Sequence, residues 1–445
     1  MINKTELKLL RSCLEQLESG SASLPDFTPS VDEAALAGVL SEVATRMQDN
    51  YPYYHPLYAG QMLKPPHPVA RIAYALSLWV NPNNHALDGG RASSAMEKEC
   101  IMELGAMFGW DKPLGHLTGG GTMANLEALW VAGRLLPGKY IIGSTQAHYT
   151  HSRICDVLGI PFKAVPVDKY GRMDIDVIES MVAEGDVGTV VVTMGNTGLG
   201  AVDPLPKILE LQEKFGFRIH ADAAYGGYFG LASGLDAHTQ QAYADMTEVD
   251  SIVIDPHKHG LQPYGCGCIL FKDPSVGSFY KHASPFTYFS SAELHLGEIS
   301  LECSRPGASA VALWATQRLL PLVQDGEFAA GLSDSIAAAR DFHSRLDASE
   351  FFTPLMAPEL DIVVYAVNAA NTSTASKAAR KVFEKAAEAD LHLALIDLPT
   401  TLTREWLPDL PVDTDTMTCL RSVLMKPEHK DWTERIVTLL ERSAA

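Results

Sequence analysis

The amino-acid sequence predicts an α/β protein with a central, mostly parallel β-sheet flanked by helices, followed by a smaller α+β domain. Short apolar segments alternate with helical patterns from about residue 115 to residue 271. Two of these segments, TVVVTM (189–194) and SIVID (251–255), are apolar on both faces, which is typical of strands buried in a parallel sheet. Polar motifs follow the segments directly, at the edge where such sheets bind ligands.

The N-terminal part is predicted to be helical. Apolar periodicity predicts helices over 4–17 and 31–47, joined by a Ser- and Pro-rich link. Two helices without strands cannot form a core, so residues 1–55 are expected to pack on another subunit or on the main domain, and we assign them to the partner subunit. A stretch dense in Pro, Tyr and His follows, and loops of this kind line pockets or pack on a domain surface.

Residues 56–308 are predicted to form the large domain. Its expected helices cover 69–79, 95–108 and 123–135, and its expected strands cover 140–143, 163–166, 189–194, 218–222, 251–255 and 268–271. Residues 309–445 mix helices with short strands, which predicts a smaller C-terminal α+β domain. Its expected helices cover 310–320, 328–346, 373–389 and 432–442, and its expected strands cover 362–367, 392–397 and 417–425.

The composition excludes several classes of partner. The chain of 445 residues has 35 Lys and Arg against 54 Asp and Glu, and its net charge of −19 repels nucleic acids and anionic membranes. The 7 cysteines are scattered and odd in number, which argues against a disulfide framework and for the reducing cytoplasm. We find no signal-peptide pattern and no apolar run of membrane-spanning length.

A glycine-rich turn precedes the helix predicted at 123–135. In LTGGGTMANLEAL, glycines allow backbone N–H groups to approach an anion at a helix N-terminus, and Thr122 suits the cap position, with Asn125 three residues later. An ordinary turn before a helix explains the motif equally well. Gly119, Gly121 and Ala124 also match the dinucleotide fingerprint, but the following strand lacks the required carboxylate. The P-loop pattern is absent as well.

The sequence DSIVIDPHKHGLQPYGCGCILFKD places a lysine between two histidines in a predicted turn. Lys258 comes just after a β-branched strand, between His257 and His259. A lysine that attacks a carbonyl benefits from desolvation and from neighbouring cations, because both lower the pKa of its amine. Our hypothesis is that Lys258 forms a Schiff base with pyridoxal phosphate (PLP). The rest of the chain must then hold a phosphate, a pyridine nitrogen and an aromatic ring.

Three further strand ends supply candidates for these tasks. Asp222 can keep a pyridine nitrogen protonated, and the small Ala224 can lie flat against a ring. His148 can stack on a ring, and Thr197 lies in the polar corner GNTG. The alternatives are a helix-capping Asp, a structural His and a plain turn. The His and Cys spacings show no second ligand pair, so no metal is expected.

Several long motifs, in the same order, resemble the PLP-dependent group II amino-acid decarboxylases. This family has the aspartate-aminotransferase fold (fold type I), and the similarity is closest to its bacterial and archaeal tyrosine decarboxylase branch. It extends from about residue 53 to residue 320. The motifs are HPLYAGQML, NPNNHALDGGRASSAMEKE, GGGTMANLEALW, HYTHSRICDVLG, DPHKHGLQPYGCGCILFKD and SRPGASAVALWA.

The resemblance implies a homodimer with its active site at the subunit interface, and it implies a role for each matched residue. Lys258 would be the Schiff-base lysine, Asp222 the partner of the pyridine nitrogen, and His148 the stacking group. Tyr288, in SPFTYFSSAE, matches the family tyrosine that protonates the product carbon in the neighbouring subunit. The residues implied near the phosphate or the ring are Gly121, Thr122, Thr197, Ala224, Asp255 and His257.

The substrate is less clearly indicated than the cofactor. His55, Tyr58 and His259 are candidate substrate-binding residues, and relatives often have Met or Trp at the position of His259. The chain also lacks the C-terminal extension of long bacterial tyrosine decarboxylases.

The aromatic loop YPYYHPLY favours an aromatic L-amino acid such as tyrosine or dihydroxyphenylalanine, with an amine and carbon dioxide as products. Three alternatives remain open. Arg71, Arg91 or Lys64 could receive the side-chain carboxylate of aspartate or glutamate. A related aldehyde synthase differs from a decarboxylase at only a few loop positions. A catalytically inactive, cofactor-binding scaffold is the non-enzyme alternative.

Overall fold

The computed structural model describes residues 4–25, 27, 30–85, 89–281 and 300–445, and it contains two β-sheets. The chain begins with helices α1 (Lys4–Ser19) and α2 (Glu33–Met47), and Asp32 caps α2. Neither helix has a buried residue. Helix α1 is tied to α3 (Pro68–Leu78) by an ion pair between Glu6 and Arg71. Helix α4 (Arg91–Met107) follows.

The larger sheet has seven strands, and its prediction as mostly parallel is confirmed. The strand order is β1-β7-β6-β5-β4-β2-β3, in which β2 to β6 run parallel. The strands are β1 (Leu114–Thr118), β2 (Tyr140–Ser144), β3 (Phe162–Val165), β4 (Val187–Thr193), β5 (Arg218–Asp222), β6 (Ser251–Ile254) and β7 (Gly267–Phe271). The intervening helices are α5 (Gly121–Leu135), α6 (Thr150–Leu158), α7 (Ile175–Ala183), α8 (Leu205–Phe215) and α9 (Ala237–Ala244).

The six strands predicted for this sheet are all present, but β1 was not predicted. Its sequence, LGHLT, has no run of β-branched residues and includes a glycine and a histidine. The strand pairs antiparallel with β7 along its whole length and is buried at every position. His116 fits there because its Nε2 lies 2.8 Å from a carboxylate oxygen of Glu127, which is equally buried. Tertiary partners, not local preference, make this segment a strand.

The start of α5 differs from the prediction. The helix begins at Gly121 with Gly120 as its cap residue, so Thr122 is not the cap and makes no capping hydrogen bond. Gly120 has a φ of +149°, a conformation that side-chain-bearing residues rarely adopt. The helix therefore begins two residues earlier than it would with Thr122 as its cap.

The second sheet is antiparallel and has four strands in the order β10-β11-β9-β8. Its strands are β8 (Phe352–Pro354), β9 (Ile362–Val367), β10 (Ala394–Pro399) and β11 (Thr416–Val423). The helices of this part of the chain are α10 (Gly307–Leu319), α11 (Glu327–Asp347), α12 (Thr372–Glu388), α13 (Thr400–Trp406) and α14 (Thr433–Ala444). Helix α10 packs against α3 and α4. Among the described helices, none is long and apolar enough to cross a membrane.

A buried ion pair joins α4, the end of β1 and the segment before α10. Arg305 Nη1 lies 2.8 Å from Glu97 Oε1, and both side chains are almost fully buried. Glu97 also accepts the backbone N–H of Leu117, at 2.9 Å, and the side-chain amide of Asn84, at 2.6 Å. Burial alone would raise the pKa of Glu97, but Arg305 and the other partners outweigh it and lower that pKa. This pair anchors the strand that leads into the glycine turn.

We expect Glu97→Gln to reduce the free energy of unfolding by about 3 kcal/mol or more, because it removes the carboxylate that pairs with the buried guanidinium of Arg305. Urea unfolding measures the change. Glu99→Gln is the matched control, two residues away on α4, where the ion pair with Arg318 is about half exposed. It should leave the unfolding midpoint nearly unchanged. Equal effects of the two variants would contradict this account.

Candidate active site

A cavity of about 580 Å³ lies where the strands β1, β4, β5 and β6 end and α5 begins. Each of these strands delivers polar groups to the same edge of the sheet, as expected for parallel strands. The predicted residues that line the cavity are Gly121, Thr122, His148, Thr197, Asp222, Ala224, Asp255, His257 and Lys258. The structure therefore brings together nine side chains and backbone groups that the sequence placed up to 137 residues apart, from Gly121 to Lys258.

Lys258 reaches this cavity from the turn that follows β6. Its Nζ lies 3.1 Å from Oδ2 of Asp255, and about a fifth of the lysine side chain is exposed. The other oxygen of Asp255 is buried and has no hydrogen-bond partner among the described residues. His257 lines the cavity, and its Nδ1 lies 2.8 Å from the carbonyl oxygen of Cys266. Burial lowers the pKa of His257.

Asp222, the last residue of β5, is the buried acid of the site. His151 Nε2 lies 3.0 Å from Oδ2 of Asp222, and the side-chain amide of Asn125 donates to the same oxygen at 3.4 Å. The backbone N–H of Ala224 donates to Oδ1 at 3.1 Å. A second histidine, His220, binds the amide oxygen of Asn125 through Nε2 at 2.9 Å.

These partners keep Asp222 ionised. Burial alone would raise the pKa of Asp222, but the hydrogen bond and charge of His151, together with Lys258, outweigh it and hold that pKa well below its ordinary value. Burial also lowers the pKa of His220 to about 3, so this histidine is neutral at pH 7. The Asp222 carboxylate thus gives the cavity a fixed negative charge, which suits a cationic ring nitrogen.

The glycine turn, residues 119–121, lines the cavity next to backbone N–H groups that have no hydrogen-bond acceptor among the described residues. Within the described chain, the backbone N–H groups of Gly121 and Thr122 have no acceptor. A Cβ atom on Gly121 would lie 2.7 Å from Oδ2 of Asp255, so the close approach there requires glycine. The N–H of Gly119 instead donates to the carboxylate of Glu302, at 3.0 and 3.1 Å from its two oxygens. Free N–H groups at a helix N-terminus suit a phosphate.

His148 and Thr197 border the cavity from two loops. His148 follows β2, and its Nδ1 lies 2.8 Å from the hydroxyl oxygen of Thr150. Burial lowers the pKa of His148, so the ring is neutral at pH 7. Thr197 lies in the loop after β4, next to Gly198, whose carbonyl accepts Nε–H of Arg421 at 3.2 Å. Among the residues that the structure describes, no arginine lines the cavity.

Three candidate substrate residues do not line the cavity. His259 turns away from Lys258 and is 1% exposed, with Nε2 3.2 Å from Asp361. Tyr58 is buried under the ammonium group of Lys426, and the ring of His55 packs edge-on against Trp432. The three side chains support the packing around the site instead. Tyr288 lies outside the described residues.

Sequence reasoning missed three residues of the site. The sequence indicated His151 only as part of the His spacing that was considered for a metal. It indicated Asn125 only through its position three residues after Thr122, and it gave no indication of Glu302. The position of His151 one helical turn after His148 was an available signal. Asn125 and Glu302 gave none, because their contacts with Asp222 and Gly119 join distant parts of the chain. In the described ranges, no cluster of His, Cys, Asp and Glu can hold a metal ion.

Comparison with known proteins agrees with this geometry. Residues 131–368 match the family described as the pyridoxal-dependent decarboxylase conserved domain. The L-tyrosine decarboxylase of Enterococcus faecium is 26% identical over 90% of this chain and 84% of its own length. A probable L-tyrosine/L-aspartate decarboxylase of Methanoculleus marisnigri is 30% identical over 59% of this chain and 69% of its own length.

A solved structure with a similar fold is that of mouse CSAD. The TM-score is 0.79 at 20% sequence identity, and the match covers 97% of this chain and 92% of the mouse chain. At this identity the likeness concerns the fold alone. It shows that the arrangement of the seven-stranded and four-stranded sheets occurs in other proteins.

We expect His151→Leu to destabilise the protein by about 2 kcal/mol at pH 7, because Asp222 loses its main hydrogen-bond donor. The lowered pKa of Asp222 stabilises the fold above its ordinary value of 3.8, and this contribution is lost as the pH falls. The deficit of the variant should therefore stay constant from pH 7 to about pH 5 and shrink as the pH falls below 3.8, where Asp222 of the unfolded chain takes up its proton. Urea unfolding at several pH values measures it.

His151→Gln is the conservative control for this experiment, because its amide can still donate to Asp222. It should recover most of the lost stability. A deficit that does not change with pH, or one of equal size in both variants, would show that His151 does not hold Asp222 ionised.

Proposed function

The chain belongs to the pyridoxal-dependent decarboxylase family, and on this premise we propose that it decarboxylates an aromatic L-amino acid of the tyrosine type. It is a PLP-dependent amino-acid decarboxylase, which releases carbon dioxide and an amine. The observation that carries the proposal is the convergence of Lys258, Asp222 and the glycine turn on one cavity. An amine, a fixed negative charge and free N–H donors are the three groups that PLP requires.

The cavity residues fit PLP group by group. Lys258 would hold the aldehyde carbon through Nζ, and Asp222 would hold the pyridine nitrogen in its protonated form. The N–H groups of Gly121 and Thr122, with His257, would bind the phosphate. His148 and Ala224 would lie against the ring, with Thr197 and Asp255 beside it. When bound, PLP supplies an electron sink for the pair of electrons that the departing carboxylate leaves behind.

The chain's own groups then handle the protons. The ionised Asp222 would keep the proton on the ring nitrogen, because the lowered pKa of its carboxyl opposes transfer of that proton to Asp222. A proton must afterwards return to the α-carbon of the product. We assign this step to Tyr288 of the family motif, and to His148 as the second choice, since its ring lines the cavity and could donate the proton from its protonated form. Lys258, which lines the cavity, would hold the cofactor again once the amine product has left.

Three observations support an aromatic substrate. The relative from Enterococcus faecium is named an L-tyrosine decarboxylase. The cations that could receive an acidic side chain are engaged elsewhere: Arg71 pairs with Glu6, and Lys64 donates to the carbonyl of Met425 at 3.1 Å. Arg91 is exposed and does not line the cavity. Tyr264, at the cavity wall, offers an aromatic surface.

An acidic amino acid is the second candidate substrate, and one observation favours it. Arg421 is 4% exposed, lies beneath the loop of Thr197, and one terminal nitrogen of its guanidinium has no hydrogen-bond partner among the described residues. A buried, partly unpaired guanidinium suits a carboxylate. The relative from Methanoculleus marisnigri is named for both tyrosine and aspartate.

We also propose that the enzyme is a cytoplasmic homodimer, with residues 1–55 as the segment that packs on the partner, 56–308 as the large domain and 309–445 as the small one. Helix α2 supports the dimer, because one face of it exposes Leu36, Val39, Leu40, Val43 and Met47. An apolar stripe of this kind on a helix is suited to a protein interface. A second subunit would cover it.

The proposed function is tested by carbon dioxide release from the twenty proteinogenic amino acids and dihydroxyphenylalanine, with identification of the product. We expect tyrosine or dihydroxyphenylalanine to be converted to the amine, at a kcat/KM at least about tenfold above that for aspartate or glutamate. Lys258→Ala supplies the inactive background. Preference for aspartate or glutamate would establish the second candidate, and an aldehyde product would show an aldehyde synthase. No release from any substrate would refute the function.

A further inference from the structure

Glu302 is the one acid at the glycine turn that the proposed function does not use. Its carboxylate lines the cavity and accepts the N–H of Gly119 with both oxygens. A Cβ atom on Gly119 would lie 2.9 Å from Oε1 of Glu302, so the glycine permits this close contact. The N–H of Gly120 donates to the hydroxyl oxygen of Thr118, and those of Gly121 and Thr122 are left free in the described structure. A negative charge thus stands beside donors suited to a phosphate.

This placement is electrostatically costly once a phosphate enters. Burial raises the pKa of Glu302, while the N–H of Gly119 and the nearby His116 and Arg305 oppose that shift. A phosphate monoester adds close to two negative charges a few ångströms away, and like charges in a half-buried site repel each other strongly. Either Glu302 moves away from Gly119, or it takes up a proton. Both changes oppose phosphate binding.

We propose that Glu302 is a residue that sets the affinity for the cofactor, because its negative charge, held beside the free donors of Gly121 and Thr122, repels the PLP phosphate. The inference rests on the proposed cofactor site and deepens it. The Glu302 carboxylate accepts the Gly119 N–H while no phosphate is bound at the glycine turn. When the cofactor binds, the charge of this carboxylate lowers the affinity, so that the cofactor can exchange. Glu302 does not touch the reacting atoms, so it is a positioning residue.

A purely structural role makes different predictions. If Glu302 only anchors the segment before Arg305 to the end of β1, its substitution should weaken the binding of every ligand in the cavity alike. Repulsion between the Glu302 carboxylate and the phosphate instead predicts that removing the charge of Glu302 tightens binding. That effect should depend on the phosphate group of the ligand.

The experiment measures binding of PLP and of pyridoxal, which lacks the phosphate, to the apo-form of the full chain by equilibrium dialysis. Glu302→Gln keeps an oxygen that can accept the Gly119 N–H and removes the charge. We expect its Kd for PLP to fall about tenfold, with the Kd for pyridoxal unchanged within about twofold. Glu388→Gln is the control for the change in net charge, because Glu388 is exposed on α12. It should bind both ligands as the wild type does.

Glu302→Ala is the second variant, and it should likewise bind PLP more tightly than the wild type, because it also lacks the charge. An unchanged or raised Kd for PLP in both variants overturns the inference. An equal gain for PLP and pyridoxal overturns it too, because the effect is then not directed at the phosphate. If the wild type binds no PLP at all, the proposed cofactor site itself fails, which is a result distinct from either of these.

Discussion

The site depends on keeping one buried carboxylate charged. Asp222 is almost fully enclosed, and an isolated ionised acid there would cost several kcal/mol. The structure offsets this cost with His151 and Asn125 on Oδ2 and the Ala224 N–H on Oδ1. These partners come from α5, α6 and the turn after β5, so the charge is maintained by the packing of several elements. The ionised Asp222 in turn gives the cavity a fixed negative charge, which suits a protonated ring nitrogen.

The glycine turn shows the same dependence on tertiary structure. Its position follows from β1, which is held in place by β7 on one side and by the Glu97–Arg305 pair on the other. Because β1 and β6 end at the same edge of the sheet, the turn comes to lie against Asp255. The turn that carries Lys258 and the glycine turn are therefore neighbours in space, although they are far apart in sequence. The strand order thus brings the glycine turn after β1 and the Lys258 turn after β6 together in one site.

Much of this was predictable from the sequence, for identifiable reasons. The buried strands β4, β5 and β6 are marked by their apolar residues, and the residues that follow them are polar, so Asp222 and Lys258 could be placed at one edge. Strand β1 could not be predicted, because the carboxylate that pairs with its buried His116 comes from Glu127 on α5 and leaves no signal within the strand. The position of His259 outside the cavity lining could not be predicted either, since its neighbour Asp361 lies about a hundred residues away in the sequence. Contacts between distant segments leave no local pattern.

The most direct test of the account is a titration of the apo-protein with PLP, followed by visible absorption. We expect a band that saturates at one PLP per chain, is absent in Lys258→Ala, and is retained in Lys272→Ala. Lys272 is a suitable control because it is an exposed lysine that pairs with Glu248. A band of wild-type intensity in Lys258→Ala, or no band in the wild type, would contradict the central claim that this lysine holds the cofactor.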